Sequence, residues 1–418
     1  MAPERPPSAG SNAAPLAGVT VLDLTSVIFG PYCTQILADL GATVIKVEGP
    51  EGDTTRQIGP GREAGMRSPY LNLNRGKKGV MLDLKRPEAV AAVLRLCDTA
   101  DLFIHSMRPQ AIERLGLTYR AVAARNPAVV YCNAWGFGRG GPYHHKAAYD
   151  DIIEAASGMV ALIEQSTGRA SYPPSALADK VAGLTLAYSC LAALLHAGRS
   201  GAGQEIEVPM FETMVSFTML EHLGGAMFEP PLGPPVYSRL VSPTRLPLQT
   251  SDGRISVIIY TNGQWQSFGR IIGRPDVLAD PRFKDMAARL AHVDAVYGFL
   301  AEQFLTRTTA QWQALLDAAG IPAMPVNSIQ DLYADPHLAA VGFFQDLEDA
   351  DMGVLRYPRQ PARFSGTMPD VRRRAPRLGE HTAEVLRGAG LSDAEIAALL
   401  AGAEGTPEPA MSAAGTGS

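Results

Sequence analysis

The fold is decided by the stretch Leu16-Ala17-Gly18-Val19-Thr20-Val21-Leu22-Asp23-Leu24 together with Ala42-Thr43-Val44-Ile45-Lys46-Val47-Glu48. Both segments have the β-branched and apolar density of buried strands. Between them, Gly30-Pro31 is expected to break the chain before a helix over residues 32–40, which Gly41 ends. A strand, a helix and a second strand in this order make a parallel pair. The unit has the element order of one half of a doubly wound sheet, but the turn after its first strand reads Ser26-Val27-Ile28-Phe29-Gly30, without the GxGxxG of a dinucleotide site.

Working outward, the alternation continues. Residues 77–85 form a short strand with basic flanks, Pro87 opens a helix to residue 96, and residues 101–105 and 129–134 are further strands. The last of these runs into Gly136-Phe137-Gly138-Arg139-Gly140-Gly141-Pro142. Residues 204–208 read as a strand and 211–227 as a long helix, so the fold class is α/β, with a large domain over residues 16–228. Residues 1–15 read as a flexible tail and the proline-dense segment 229–235 as a linker. Residues 236–330 read as a smaller α+β domain, with a hairpin turning at Asp252-Gly253 and helices over 262–273 and 293–320. A helix-poor, polar passage follows, then short helices over 382–387 and 393–401 and a disordered tail over 402–418.

A chain of 418 residues is long enough for two cores, and a net charge of −5 provides no field for nucleic acid or an acidic membrane surface. The four cysteines, Cys33, Cys97, Cys132 and Cys190, are far apart, with no CxxC pair and no histidine cluster at ligand spacing. They read as buried free thiols of a reducing compartment, and no metal site is expected. Residues 1–15 lack a secretory pattern and the longest apolar run, 181–196, is too short for a membrane span, so a cytoplasmic protein is expected.

That apolar run is preceded by Pro173-Pro174-Ser175-Ala176-Leu177-Ala178-Asp179-Lys180 and followed by the breakers Gly198-Arg199-Ser200-Gly201. It predicts a buried helix with Asp179 at or near its N-cap, where amides and the helix dipole keep a carboxylate ionised. A structural cap and a fixed nucleophile are both compatible with that position.

Several segments together resemble the class III CoA-transferase family, which includes formyl-CoA and carnitine CoA-transferases and the 2-methylacyl-CoA racemases. They are Val21-Leu22-Asp23-Leu24 with Gly30-Pro31, residues 40–48, Asn74-Arg75-Gly76-Lys77-Lys78, Leu82-Asp83-Leu84-Lys85, Gly201-Ala202-Gly203-Gln204 and Pro376-Arg377-Leu378-Gly379-Glu380-His381-Thr382. The resemblance implies a Rossmann-like large domain to which residues 331–401 return, and an interlocked homodimer. It implies an enzyme that moves CoA from an acyl-CoA donor to a small free carboxylic acid. CoA is then a substrate, and no tightly bound cofactor is needed. The family's nucleophilic aspartate matches Asp179, which would form a mixed anhydride and then an aspartyl-CoA thioester. Thirty positions earlier the family's racemases carry His where this chain has Tyr149, so the resemblance favours transfer over racemisation. A CoA-ester-binding protein without catalysis is the remaining alternative.

By the same resemblance Val27, Leu82, Leu84, Lys85 and Arg114 line the CoA site. Ser106-Met107 stand where the family commonly has Asn and an aromatic, and Ile28 stands where some transferases have a polar side chain near the thioester. Each has a plainer reading: Lys85 a solvated strand end, Arg114 a helix partner of Glu113, Tyr149 a packed aromatic. Asp150 is a second candidate nucleophile. Oxyanion donors are sought in the loop 136–141 or in Thr261-Asn262-Gly263. Arg239 and Arg245 are either surface charges or a clamp for a substrate carboxylate. His144 and His145, adjacent in a loop, do not suggest a metal site, and Trp265 and Trp312 read as core.

Overall fold

The computed structural model describes residues 14–367 and 373–401, so the tails expected at 1–15 and 402–418 lie outside the described residues but for Ala14 and Pro15. The chain divides into two units, one of residues 1–153, 176–214 and 343–418 and the other of residues 154–175 and 215–342.

The first unit is built on six strands: β1 (Thr20–Leu24), β2 (Thr43–Glu48), β3 (Lys78–Met81), β4 (Leu102–His105), β5 (Val130–Trp135) and β6 (Gln204–Pro209). They form one sheet in the order β3-β2-β1-β4-β5-β6 with every pair parallel. This is the strand order of a doubly wound sheet. Leu22 lies opposite Ile45 on one side and Phe103 on the other. Near-continuous apolar strands are what a parallel sheet covered on both faces requires.

Along the chain to residue 222 the helices are α1 (Phe29–Asp39), α2 (Ser68–Asn74), α3 (Pro87–Cys97), α4 (Pro109–Leu115), α5 (Tyr119–Arg125), α6 (Asp150–Ala156), α7 (Met159–Thr167), α8 (Leu177–Ser200) and α9 (Met210–His222), of which α7 and the later parts of α6 and α9 belong to the second unit. On one face Ala89, Val93 and Leu96 of α3 pack with Val47, Val80 and Phe103 of the sheet.

Gly30 and Pro31 do not precede the first helix, as expected, but lie in its first turn. A proline there gives up an N–H that has no intrahelical partner. Gly30 is required by close approach, since a Cβ would fall 2.3 Å from Thr25 Cβ.

The second unit holds the expected hairpin, β7 (Leu248–Gln249) with β8 (Arg254–Val257), and a third antiparallel strand, β9 (Ala323–Pro325). Its helices are α10 (Asn262–Ile271), α11 (Met286–Ala291), α12 (Val293–Phe304), α13 (Thr309–Ala318) and α14 (Pro336–Ala340). Trp265 and Trp312 are fully buried in its core, with the Phe304 and Trp312 rings stacked at 4.3 Å. The boundaries differ from the sequence reading. The division falls within α9 rather than at 229–235, residues 154–175 join the second unit, and the second unit ends at residue 342 rather than 330. Proline density is a local signal, whereas membership of a unit depends on which core an element joins.

From residue 343 the chain is again in the first unit. A hairpin of β10 (Phe344–Asp349) and β11 (Gly353–Pro358), for which no strands were expected, occupies part of the helix-poor, polar passage. After it come α15 (Thr382–Gly388) and α16 (Asp393–Ala401), whose Leu386, Ile396 and Leu399 join the core beneath β3 and α3. His381 N–H donates to Gly79 O at 2.8 Å, and Met81 N–H donates to Thr382 Oγ1 at 3.0 Å.

Candidate active site

In a doubly wound sheet the crevice at the carboxyl ends of the strands lies where the strand order reverses, here between β1 and β4. A cavity opens there, lined by Ser26 and Val27 after β1, Ser106 and Arg108 after β4, and Gly136 after β5. Asp179 of α8 and Tyr149, just before α6, complete it together with His144 and Lys146. The switch point therefore brings together Asp179, Tyr149, Val27 and Ser106.

The turn after β1 is held amide by amide. Thr25 N–H donates to Asp23 Oδ1 at 2.9 Å, Ser26 N–H to Ser106 Oγ at 3.2 Å, and Val27 N–H to both carboxylate oxygens of Asp53 at 3.3 Å. In dinucleotide sites such amides meet a pyrophosphate; here a hydroxyl and two carboxylates take them. The counter-charges are buried too, Lys77 on Asp23 and Lys46 on Asp53, each at 3.0 Å. Lys77 and Thr34 hold Asp23 down to about 2 against the cost of its burial. Val27 has φ of 68°, the one positive φ of a non-glycine residue among the described residues. For a β-branched side chain this conformation costs about 1–3 kcal/mol.

Asp179 is the third residue of α8, and the N-cap is Ala176, which makes no side-chain cap bond. Asp179 thus lies near the N-cap, as expected, and of the two readings left open for it the structural cap is the one not found. The acceptor comes from elsewhere: Asp150 Oδ1 receives Asp179 N–H at 2.8 Å. Asp179 is only 8% exposed. Burial, and after it the Asp150 carboxylate, push the Asp179 carboxyl up to about 7, so it is not held ionised far below neutrality as the helix position suggested. Asp150, the second candidate nucleophile, is thus committed to the start of α8.

The helix itself is longer than its apolar run, continuing through Gly198 to a left-handed Gly201. Its 24 residues are long and apolar enough to cross a membrane by length and composition, contrary to the sequence reading. It is the last helix of the crossover from β5 to β6. One face packs on α1, where a Cβ on Gly183 would lie 2.9 Å from Phe29 O. The opposite stripe, Leu184, Tyr188 and Leu195, is exposed, so the helix is only half buried.

Other expected residues lie away from the cavity lining. Ile28 is the N-cap of α1 and does not line it. Leu82 is buried in the core, with Leu84 and Met107 packed against the same cluster. Lys85 and Arg114 are exposed on the surface of this unit. Met107 is fixed from both sides: its N–H donates to His105 Nδ1 at 3.2 Å, and its carbonyl accepts Trp135 Nε1–H at 3.0 Å. Burial lowers His105 to about 4, so its ring is neutral and its Nε2–H is left to donate to Asn133 Oδ1.

In the glycine loop, Gly138 N–H is taken by Glu212 and Arg139 N–H by Glu207, which leaves Gly136 as the loop residue that lines the cavity. The alternative turn, at Thr261, is a capping box for α10 in the second unit. Arg239 lines a separate cleft of that unit with the buried Arg289.

Sequence reasoning passed over Arg108, Lys146, Lys46 and Asp53. For Arg108 the signal was present: Pro109 at the first helical position after a strand puts the preceding residue at the strand's carboxyl end. Lys146 lies between Tyr143 and Tyr149, with its ammonium 4.2 Å from the Tyr143 ring centre.

A family model described as CoA-transferase family III matches residues 16–382. The succinate–glutarate CoA-transferase of Agrobacterium fabrum is 34% identical over 380 residues, 89% of this chain and 95% of that protein. The human succinyl-CoA:glutarate CoA-transferase is 30% identical over 389 residues, covering 92% and 88% of the two chains. Among solved structures, Rv3272 of Mycobacterium tuberculosis superposes with a TM-score of 0.78 at 31% identity, over 89% of this chain and 99% of that one. A CAIB/BAIF family protein of Brucella suis gives a TM-score of 0.77 at 30% identity, over 90% and 100% of the two chains. With its sheet order, its switch-point cavity and these similarities, the chain belongs to CoA-transferase family III and is a CoA-transferase.

Proposed function

We propose that this enzyme transfers CoA from a dicarboxylic acyl-CoA to a second carboxylic acid through covalent intermediates on Asp179. The observation that carries the mechanism is the Asp179 carboxyl itself, nine-tenths buried, in the switch-point cavity, on the first turn of a rigid helix. An Asp179 oxygen attacks the thioester carbonyl, the C–S bond breaks, and a mixed anhydride and CoA thiolate result. The thiolate attacks the Asp179 carbonyl carbon, releasing the donor acid and leaving an aspartyl-CoA thioester. The acceptor carboxylate attacks that thioester, and the thiolate takes the acyl group from the new anhydride, which restores Asp179. Each attack builds charge on a carbonyl oxygen, and the Gly136 amide is the loop donor assigned to it.

Val27 and Ser106 are assigned to the substrate at its thioester end. Leu82, Leu84, Lys85, Met107 and Arg114 are assigned to the adenine and phosphate end. The dicarboxylic class follows from the relatives whose names specify succinate and glutarate. The exposed stripe Leu184, Tyr188 and Leu195 supports a homodimer, and the four buried free cysteines support a reducing compartment such as the cytoplasm.

Incubation with succinyl-CoA and a panel of carboxylic acids, read by mass spectrometry of the thioesters formed, tests this reading. New CoA esters of dicarboxylic acids are expected, and Asp179→Ala abolishes them. Exchange of an α-proton for deuterium in a 2-methylacyl-CoA without any acceptor acid is the result that would favour a racemase instead.

A further inference from the structure

Val27, assigned above to the substrate, adopts a conformation that its side chain disfavours, and a connected set of polar contacts accounts for how it is kept there. Its N–H is received by the Asp53 carboxylate. Lys46, fully buried, bridges the same turn, donating to Asp53 Oδ2 at 3.0 Å and to Thr25 O at 2.9 Å. Asp53 is anchored in turn, accepting from Thr55 N–H at 3.0 Å and Thr55 Oγ1 at 2.8 Å, while its own N–H donates to Glu48 Oε1. One ion pair thus joins β2, the turn after β1 and the helical turn Thr54–Gln57.

We propose that Lys46 and Asp53 are positioning residues for the acyl-CoA site, holding Val27 left-handed so that the turn carrying Ser26 and Val27 keeps the shape that receives the substrate. This rests on the reading of the Asp179 cavity as the CoA site. A purely structural pair would add stability wherever it lay. This pair holds both polar groups that frame the turn, the Thr25 carbonyl and the Val27 amide, next to the cavity wall. The neighbouring pair Arg56–Glu48, at 2.6 Å, is also buried, but its bonds go to Gly65, Tyr70, Pro376 and the Asp53 amide rather than to the cavity-lining turn. Asp53 remains ionised despite burial, because Lys46 and the Thr55 bonds lower it. Loss of that charge breaks the ion pair with Lys46 and weakens the acceptor of the Val27 N–H, the two contacts that make a left-handed valine tolerable.

The test is a double-mutant cycle on CoA affinity, measured by titration calorimetry with free CoA. Asp53→Asn is expected to weaken CoA binding by about tenfold or more in the native background. In Val27→Gly, where a left-handed residue carries no strain, the same change is expected to cost no more than about threefold. Where Asp53→Asn does not fold, because Lys46 is left without a counter-charge, Lys46→Met with Asp53→Leu removes both charges together and enters the same cycle. An equal loss in the native and Val27→Gly backgrounds overturns the proposal, as does unchanged CoA affinity in a folded variant. A native protein that binds no CoA overturns the site reading and the positioning role with it.

Discussion

Asp179 carries an energetic cost that the role proposed for it would explain. Its folded-state carboxyl is raised to about 7 by burial and by Asp150, above the ordinary 3.8. Between roughly pH 4 and 7 the unfolded chain has released this proton while the folded chain retains it, so stability falls as pH rises through that window and the full cost is present above it. Asp179→Asn keeps the shape and removes the charge, and should raise unfolding free energy at pH 8 by about 2–4 kcal/mol, measured by denaturant titration. Its activity should be lost at the same time. With the carboxylate as the proposed nucleophile, kcat/KM for acyl-CoA should fall about tenfold per pH unit below pH 7 and level off above it. Asp150→Asn removes the second cause of the shift while keeping an oxygen for Asp179 N–H, and should move the midpoint of that profile to lower pH. Asp179 was legible in the sequence as a helix-start carboxylate. Its raised pKa was not, because it comes first from burial by the folded chain and then from a carboxylate 29 residues away in sequence.

At the scale of elements, the parallel strands were legible because their apolar density leaves no other reading. The hairpin of β10 and β11 was not. Its strands carry Asp346, Glu348, Asp349 and Arg356, and an alternation that half-exposes each strand resembles a polar loop when no partner is visible. The contact of α1 with α8 illustrates a cost that propensity hides. Replacing a mid-helix glycine normally gains up to about 1 kcal/mol. At Gly183 a Cβ meets Phe29 O and Tyr32 Cδ1, both at 2.9 Å. Gly183→Val should therefore destabilise by about 1–3 kcal/mol and displace the start of α8, with a fall in melting temperature and in activity. A melting temperature at or above that of the native protein would contradict this packing.

At the scale of the molecule, the order β3-β2-β1-β4-β5-β6 explains why the site lies where it does, and the absent GxGxxG is accounted for by a turn whose amides are spent on side chains. The division into units was harder to read, because a helix such as α9 runs through the boundary while proline-dense segments lie inside one unit. The stripe Leu184, Tyr188 and Leu195 leaves α8 with an apolar face that a second copy is proposed to cover. Leu184→Glu with Tyr188→Glu should shift the protein from dimer to monomer in light scattering. An unchanged mass would contradict that role for the stripe.

Covalent transfer through the Asp179 carboxylate can be measured by incubating the enzyme with succinyl-CoA alone, quenching in acid, and mapping the peptides by mass spectrometry. The expected product is a peptide containing Asp179 that carries CoA as a thioester, with loss of one water. Hydroxylamine should convert this peptide to a hydroxamate at the same residue. A native enzyme that turns over while every peptide stays unmodified, or an adduct that persists in Asp179→Ala, would contradict covalent transfer through Asp179.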